Sequence, residues 1–245
     1  MDDNIDKLKQ LIDDAHNVVF FGGAGVSTES GIPDFRSSTG LGSRQYKYPF
    51  EYILSHEFFY GHTDEFYDYY FAEMTRPDAR PNAAHIALAE LEKAGKLKAV
   101  VTQNIDGLHQ AAGSQNVYEV HGSVHRNRCT RCGKRYDGLP AMLARRPVPH
   151  CDCGGLIKPD VVLYGEPLDE DCVAGAVAAI AESDLVIVGG TSLAVYPAAG
   201  FLSYARGKIV VINRDKPAST PARVVLEIFD SIGKVLSAVR ENTKD

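Results

Sequence analysis

The order of apolar runs in this 245-residue chain predicts an α/β fold: a Rossmann-like, doubly wound parallel sheet with a smaller unit inserted into it. Three observations carry that prediction. Residues 18–21, 185–188 and 209–212 are apolar without alternation, as parallel strands covered on both faces require. Helical patterns alternate with these strands. Two segments, 37–80 and 126–159, break the rhythm and read as insertions.

Taken in order, Ile5, Leu8, Leu11, Ile12 and Ala15 recur at helical spacing and lead into the first strand. That strand empties into the glycine-rich stretch FFGGAGVSTESGIPDFR, residues 20–36. It opens like a phosphate loop, but a GxGxxG register has Thr28 where its last glycine belongs, and an Asp-Phe-Arg run follows. Segment 37–80 is rich in aromatics, with no strand signal. The helix NAAHIALAELEKAG stops at Gly95 and feeds the strand KAVVTQN. Segment 126–159 is basic and rich in Cys, Gly and Pro. The helix DCVAGAVAAIAES, the strand DLVIVGG, a helix over 196–206 and the strand KIVVIN complete the pattern. Such a sheet binds its ligands at the carboxyl ends of its strands. The expected division is a large unit over about 1–36, 81–125 and 160–245, and a small one over about 37–80 and 126–159.

The net charge of −6 argues against a free-standing nucleic-acid binder, which needs a basic face, and suits basic peptides instead. No apolar run approaches the length of a membrane span or a signal peptide, so a cytoplasmic protein is expected, without membrane partners. Four of the five cysteines are clustered, which in a reducing compartment points to metal rather than disulfides. CTRCGK presents Cys129 and Cys132 at CxxC spacing; HCDCGG presents Cys151 and Cys153 one residue apart. Four thiolates close a tetrahedral shell, so a structural zinc is expected here, with no position left for water. His150 is an alternative ligand to one of the cysteines, a redox CxxC or buried free thiols are the rival reading, and Cys172 reads as core.

Three further stretches place polar groups where strands end: TQNIDGLH, YEVHGS and GTSLAVYPAAG. Singly each has a plain reading, as a turn, a structural histidine or a helix cap. In this order, with GAGVSTESGIPDFR, the cysteine pairs and KPDVVLYGE, they closely resemble the sirtuins, NAD-dependent protein-lysine deacylases, over nearly the whole chain. The resemblance implies a Rossmann-type large domain, and a small domain made of a helical module and a zinc ribbon. Both substrates would bind in the cleft between. It assigns the cofactor to Gly22, Ala24, Gly25 and Thr28, with Ile32 and Asp34 on the nicotinamide carboxamide, Phe35 over the reacting C1′ and Arg36 near the phosphates. Gly23 stands where the family commonly has threonine. His121 would be the general base; Gln103, Asn104 and Asp106 would orient ribose and nicotinamide. Gly190, Thr191, Ser192, Asn213 and Ile232 match the adenosine and phosphate contacts. Val161, Tyr164, Gly165 and Val195 match the peptide site, Val161 pairing its backbone with an added strand. The implied reaction moves acetyl from acetyl-lysine to ADP-ribose, releasing nicotinamide, and the resemblance is to the bacterial type; the sequence leaves the oligomeric state open, with a monomer favoured.

Rival readings are separable. An NAD-dependent dehydrogenase needs the full GxGxxG and an acid at the end of the second strand, and lacks both here. A zinc-ribbon adaptor on nucleic acid explains RNRCTRCGKR but not His121. Mono-ADP-ribosyl transfer uses the same activated C1′. Finally, a Tyr-x-x-Arg pair marks relatives that prefer succinyl-lysine, and here Tyr67 is followed by Tyr70, so uncharged acyl groups are expected.

Overall fold

The computed structural model describes residues 2–35, 37 and 40–241. In chain order the elements are α1 (Asp2–Asp14), β1 (Val18–Gly22), α2 (Phe50–Ile53), α3 (His56–Gly61), α4 (Thr63–Tyr69), α5 (Ala83–Lys93), β2 (Leu97–Thr102), α6 (Leu108–Ala112) and β3 (Val117–Glu119). There follow β4 (Gly122–Cys129), β5 (Arg135–Asp137), α7 (Leu139–Leu143), β6 (Ile157–Val161), α8 (Glu170–Glu182), β7 (Leu185–Gly189), β8 (Lys208–Asn213), β9 (Val224–Phe229) and α9 (Ile232–Glu241).

Six strands form one parallel sheet in the order β3-β2-β1-β7-β8-β9. Counted along the chain this is the 3-2-1-4-5-6 order of the doubly wound fold, with its switch point between β1 and β7. Successive residues of β1 serve opposite faces, which is why its sequence does not alternate. Val18 and Phe20 pack with α1, α5 and α9 through Leu8, Leu88 and Val235, while Val19 and Phe21 pack with α8 through Ala176 and Ile180. Cys172 lies half-buried against this second face.

The two insertions share a third core. Phe58, Phe59, Phe66, Tyr67 and Tyr70 from α3, α4 and the π-helical turn Tyr70–Met74 meet Val124, Tyr136, Met142 and Ile157 from the antiparallel sheet β5-β4-β6 and α7. Tyr67 donates its hydroxyl to the carbonyl of Ile157, stitching helices to ribbon. The helix expected over 196–206 is instead a 3-10 helix, Ala198–Tyr204, because 191–197 is spent on an irregular turn in which Leu193 takes φ 54°. Strands β3 and β9 and helix α9 complete the sheet beyond the runs legible in sequence.

Candidate active site

The switch point puts two glycine turns face to face. Gly22 ends β1 opposite Gly189 at the end of β7. Gly25 N–H then donates to the Gly190 carbonyl at 2.8 Å, and Gly190 holds φ +59°. A Cβ on Gly25 would lie 2.8 Å from both Cα and O of Gly190, so this approach requires glycine. Thr28 spends its hydroxyl on the Gly25 carbonyl at 3.0 Å, closing the turn where a GxGxxG loop would have its third glycine. A 3-10 turn, Ala24–Val26, therefore replaces the helix entry of a dinucleotide loop. Asn82 at the N-cap of α5 braces the loop from behind through the Val26 carbonyl (2.7 Å) and Ser30 Oγ (3.0 Å).

This loop, the ends of β2, β3, β7 and β8, and the turn after β6 enclose a cleft of about 1560 Å³. That exceeds the few hundred to 1,000 Å³ of an ordinary small-molecule pocket and has room for a dinucleotide beside a peptide segment. Ala24, Gly25, Thr28, Ile32, Asp34 and Phe35 line one side; Gly190, Thr191, Ser192, Val195, Asn213 and Ile232 line the other. Gly22 lies beneath, its carbonyl accepting from Gln103 N–H at 3.0 Å. Arg36 lies outside the described residues.

Two hydrogen-bonded chains order the floor. In one, Asn104 Nδ2 donates to Ser27 Oγ (3.0 Å), and Ser27 Oγ donates to Asp106 Oδ2 (2.7 Å). Burial raises the Asp106 pKa, with the Ser27 hydroxyl and Leu108 N–H opposing the shift. In the other, Gln103 Nε2 donates to Thr191 Oγ1 (3.1 Å), while Thr191 and Asn213 exchange bonds: N–H to Oδ1 at 3.0 Å and Nδ2 to carbonyl at 2.9 Å. Joined to this second chain is His121, whose Nδ1 is 3.1 Å from the Gln103 carbonyl. A carbonyl only accepts, so the proton sits on Nδ1 and Nε2 carries the lone pair. Burial depresses the His121 pKa, the bond to Gln103 acting the other way, so the imidazole is neutral near pH 7. A neutral imidazole with a fixed tautomer is a general base in waiting.

The peptide-side residues divide. Tyr164 and Gly165 line the cleft, as does Val161, but Val161 is buried in the small core and its carbonyl accepts from Lys158 Nζ at 3.0 Å. The neighbouring Val162, whose N–H donates to the His121 carbonyl at 3.0 Å, also lines the cleft. Sequence reasoning missed Val162, Ser27 and His125, whose Nε2 meets the Asp106 carbonyl at 3.0 Å. Ser27 lay inside a quoted motif, yet nothing in its spacing marks it as the link between Asn104 and Asp106. Tyr67 and Tyr70 are fully buried and absent from the cleft lining, so they serve as packing aromatics of the helical module.

The four thiols of Cys129, Cys132, Cys151 and Cys153 converge with all Sγ atoms within 4.8 Å of one another. The Cys129–Cys153 and Cys132–Cys151 Sγ separations are 3.5 and 3.7 Å. A tetrahedron with Zn–S bonds of about 2.3 Å has edges of about 3.8 Å, so the set fits zinc. Backbone N–H groups of Arg131 and Cys132 point at Cys129 Sγ at 3.4 and 3.5 Å, supporting a thiolate. His150 turns its Nδ1 to the Val148 carbonyl at 2.9 Å and stands outside the cluster, which removes it as a ligand.

The family model described as Sir2 family matches residues 23–197, from the glycine loop to the turn after β7. The chain belongs to the Sir2 family. Named relatives include the NAD-dependent protein deacetylases of Clostridium acetobutylicum, 54% identical with 97% of this chain and 98% of the relative covered, and of Sulfolobus acidocaldarius, 44% identical with 91% of each covered. Among solved structures, a Sir2 with deacetylated p53 peptide and 3′-O-acetyl-ADP-ribose superposes with TM-score 0.90 at 35% identity, covering 98% of each chain. A Sir2 with p53 peptide and NAD+ gives TM-score 0.86 at 36% identity, again over 98% of each. The span of the Sir2 family match, residues 23–197, takes in both insertions.

Proposed function

We propose that this protein is an NAD-dependent protein-lysine deacetylase that transfers acetyl from acetyl-lysine to ADP-ribose, releasing nicotinamide and O-acetyl-ADP-ribose. The observation that carries this reading is the fixed tautomer of His121 in a cleft walled by a glycine loop on one side and the turn after β6 on the other. The relatives' names and the ligands of the related structures agree with it. NAD, consumed in the reaction, supplies an electrophilic ribose carbon when nicotinamide leaves. Gly25, Ser192 and Asn213 would hold it across the switch point, with Asp34 and Ile32 at the amide. Asn104, Asp106 and Gln103, locked by the two hydrogen-bonded chains, orient the ribose. His121 Nε2 takes a proton from a ribose hydroxyl. Val162, Tyr164 and Gly165 present the edge on which the peptide lies, with Val195 opposite. One zinc on the four cysteines holds the ribbon, in the small unit of about 37–80 and 126–159. We place the protein in the cytoplasm, acting as a monomer on acetylated proteins; among the described residues no helix is long and apolar enough to cross a membrane.

The test is product analysis with labelled NAD and an acetyl-lysine peptide. Equal amounts of nicotinamide, deacetylated peptide and O-acetyl-ADP-ribose are expected. Label retained on protein, with the peptide still acetylated, would replace this reading with mono-ADP-ribosyl transfer.

A further inference from the structure

The turn after β6 contains a carboxylate that the reaction itself does not use. Glu166 gathers donors from three separate pieces of chain. Its Oε2 accepts from Lys158 Nζ of β6 at 2.9 Å and from Leu163 N–H of the turn at 3.0 Å, and its Oε1 meets Nδ1 of His56, the first residue of α3, at 3.0 Å. Its own N–H donates to the Leu163 carbonyl at 2.9 Å, so the turn 163–166 is closed by backbone and side chain together, with Gly165 at φ +89°. The same turn is tied to the helical module on its other edge, where Tyr164 N–H donates to Leu54 and His56 N–H donates to Tyr164, both at 2.9 Å. Glu166 is thus the point at which strand, turn and helical module are fastened to one another.

The Lys158–Glu166 pair differs from the surface pairs of this molecule. Its side chains are 18% and 17% exposed, against 69% and 45% for Lys47 and Glu65. Screening is correspondingly weaker, and each charge depends on the other. Lys158 Nζ also donates to the Val161 carbonyl at 3.0 Å, so the ion pair fixes the backbone immediately before Val162. Glu166 itself lines the cleft.

We propose that Glu166 is a positioning residue for the acyl-lysine peptide: its carboxylate holds 162–165 in the conformation that presents the peptide-binding edge. This rests on the reading that the turn faces the peptide. A carboxylate is needed because Leu163 N–H, an ammonium and an imidazole are satisfied at once. A glutamine carbonyl can replace the first bond but not the charge, and alanine replaces nothing. The effect should fall on peptide binding and spare NAD, whose predicted contacts lie on the other strand ends.

The experiment measures dissociation constants for an acetyl-lysine peptide without NAD, and KM for peptide and NAD, in Glu166→Ala, Glu166→Gln and Tyr164→Ala. Glu166→Ala should weaken peptide binding by about tenfold or more, with the NAD KM within about twofold, and Glu166→Gln should fall between it and wild type. If peptide binding is unchanged in Glu166→Ala while Tyr164→Ala weakens it, the role of Glu166 is overturned. If neither variant affects peptide binding, the reading that this turn faces the peptide falls with it. An equal loss for peptide and NAD marks general loosening and also overturns the proposal. Should Glu166→Ala fail to fold, Glu166→Gln is measured well below its melting temperature and decides by the same criteria.

Discussion

Gly25→Ala is a perturbation whose size can be worked from the structure. The added methyl would lie 2.8 Å from Cα and O of Gly190 and 3.0 Å from its carbonyl carbon, well inside the 3.4 Å at which ordinary contact begins. All three atoms are backbone, so no rotamer change relieves the clash. Gly190 is bare on the same contact, its own missing Cβ position lying 2.4 Å from Val26 N, so neither turn accepts a side chain here. The loop must lift and surrender the 2.8 Å bond from Gly25 N–H to Gly190. Overpacking costs about 1–3 kcal/mol and the lost bond about 1 kcal/mol. Part of this lowers stability and part displaces the loop from the cofactor. A share of about 2 kcal/mol corresponds to roughly a thirtyfold rise in the KM for NAD. Steady-state kinetics at saturating acetyl-peptide, with a thermal melt alongside, provide the assay. Gly31→Ala is the control: nothing lies within 4 Å of its Cβ, and only φ +80° opposes it, so a stability loss of about 1 kcal/mol without a selective NAD effect is expected. A Gly25→Ala enzyme with wild-type NAD KM and wild-type Tm would refute the close-approach argument.

Other substitutions probe the remaining parts. His121→Ala should lower turnover by at least about a hundredfold while NAD binding measured directly is retained, and near-normal kcat would remove the base from the mechanism. Because burial depresses the His121 pKa, the wild-type rate should rise with pH through a value below the ordinary 6.5 and then level off; a limb centred above 6.5 would contradict the buried environment. Cys129→Ser should release zinc and lower Tm, since Cys129 also belongs to the small core; stoichiometric metal by emission spectroscopy with full activity would exclude it as a ligand. Acid should destabilise the protein through His85 and His109, buried neighbours whose pKa values are pushed down to about 4 and about 3 by burial. Below about pH 6.5 the unfolded chain takes up protons that the folded chain refuses, so stability falls as pH drops, by about 2 kcal/mol per histidine at pH 5. His109→Leu should flatten that dependence in melts from pH 7.5 to 5. Acetyl-lysine should exceed succinyl-lysine in kcat/KM by at least about tenfold, since Tyr67 and Tyr70 are packed into the aromatic core and offer no charge to a distal carboxylate; the reverse preference would overturn this.

Much of the fold was legible because burial on both faces leaves an unambiguous mark. Residues 18–21 and 185–188 are apolar at every position, and their strands lie adjacent at the switch point. β9 escaped notice for the opposite reason: it is an edge strand whose exposed positions Val225 and Phe229 are still apolar while Glu227 interrupts the run, so neither alternation nor an unbroken apolar stretch marks it. The 3-10 helix Ala198–Tyr204 was read as a longer regular helix because a periodic apolar pattern carries no information about the irregular backbone at Leu193.

The site was legible where chemistry needs a particular residue type and illegible where it needs a particular neighbour. Gly25, His121 and the four cysteines stand out in sequence because few residue types can approach backbone closely, titrate near neutrality or offer thiolates. Ser27 is different. Its hydroxyl matters because Asn104 and Asp106, carried on another strand end 77 and 79 residues away, close upon it, and no local pattern encodes a partner at that separation. Val161 shows the same limit at a finer scale. Two valines stand side by side in KPDVVLYGE, and which one offers its backbone to the cleft depends on a cation three residues before the first of them. Lys158 occupies the Val161 carbonyl, and the N–H of Val162 anchors that residue to His121, so His121 and the turn after β6 are joined by one hydrogen bond. Sequence names the candidate residues; the ladder between β4 and β6 decides which of their atoms face the cleft.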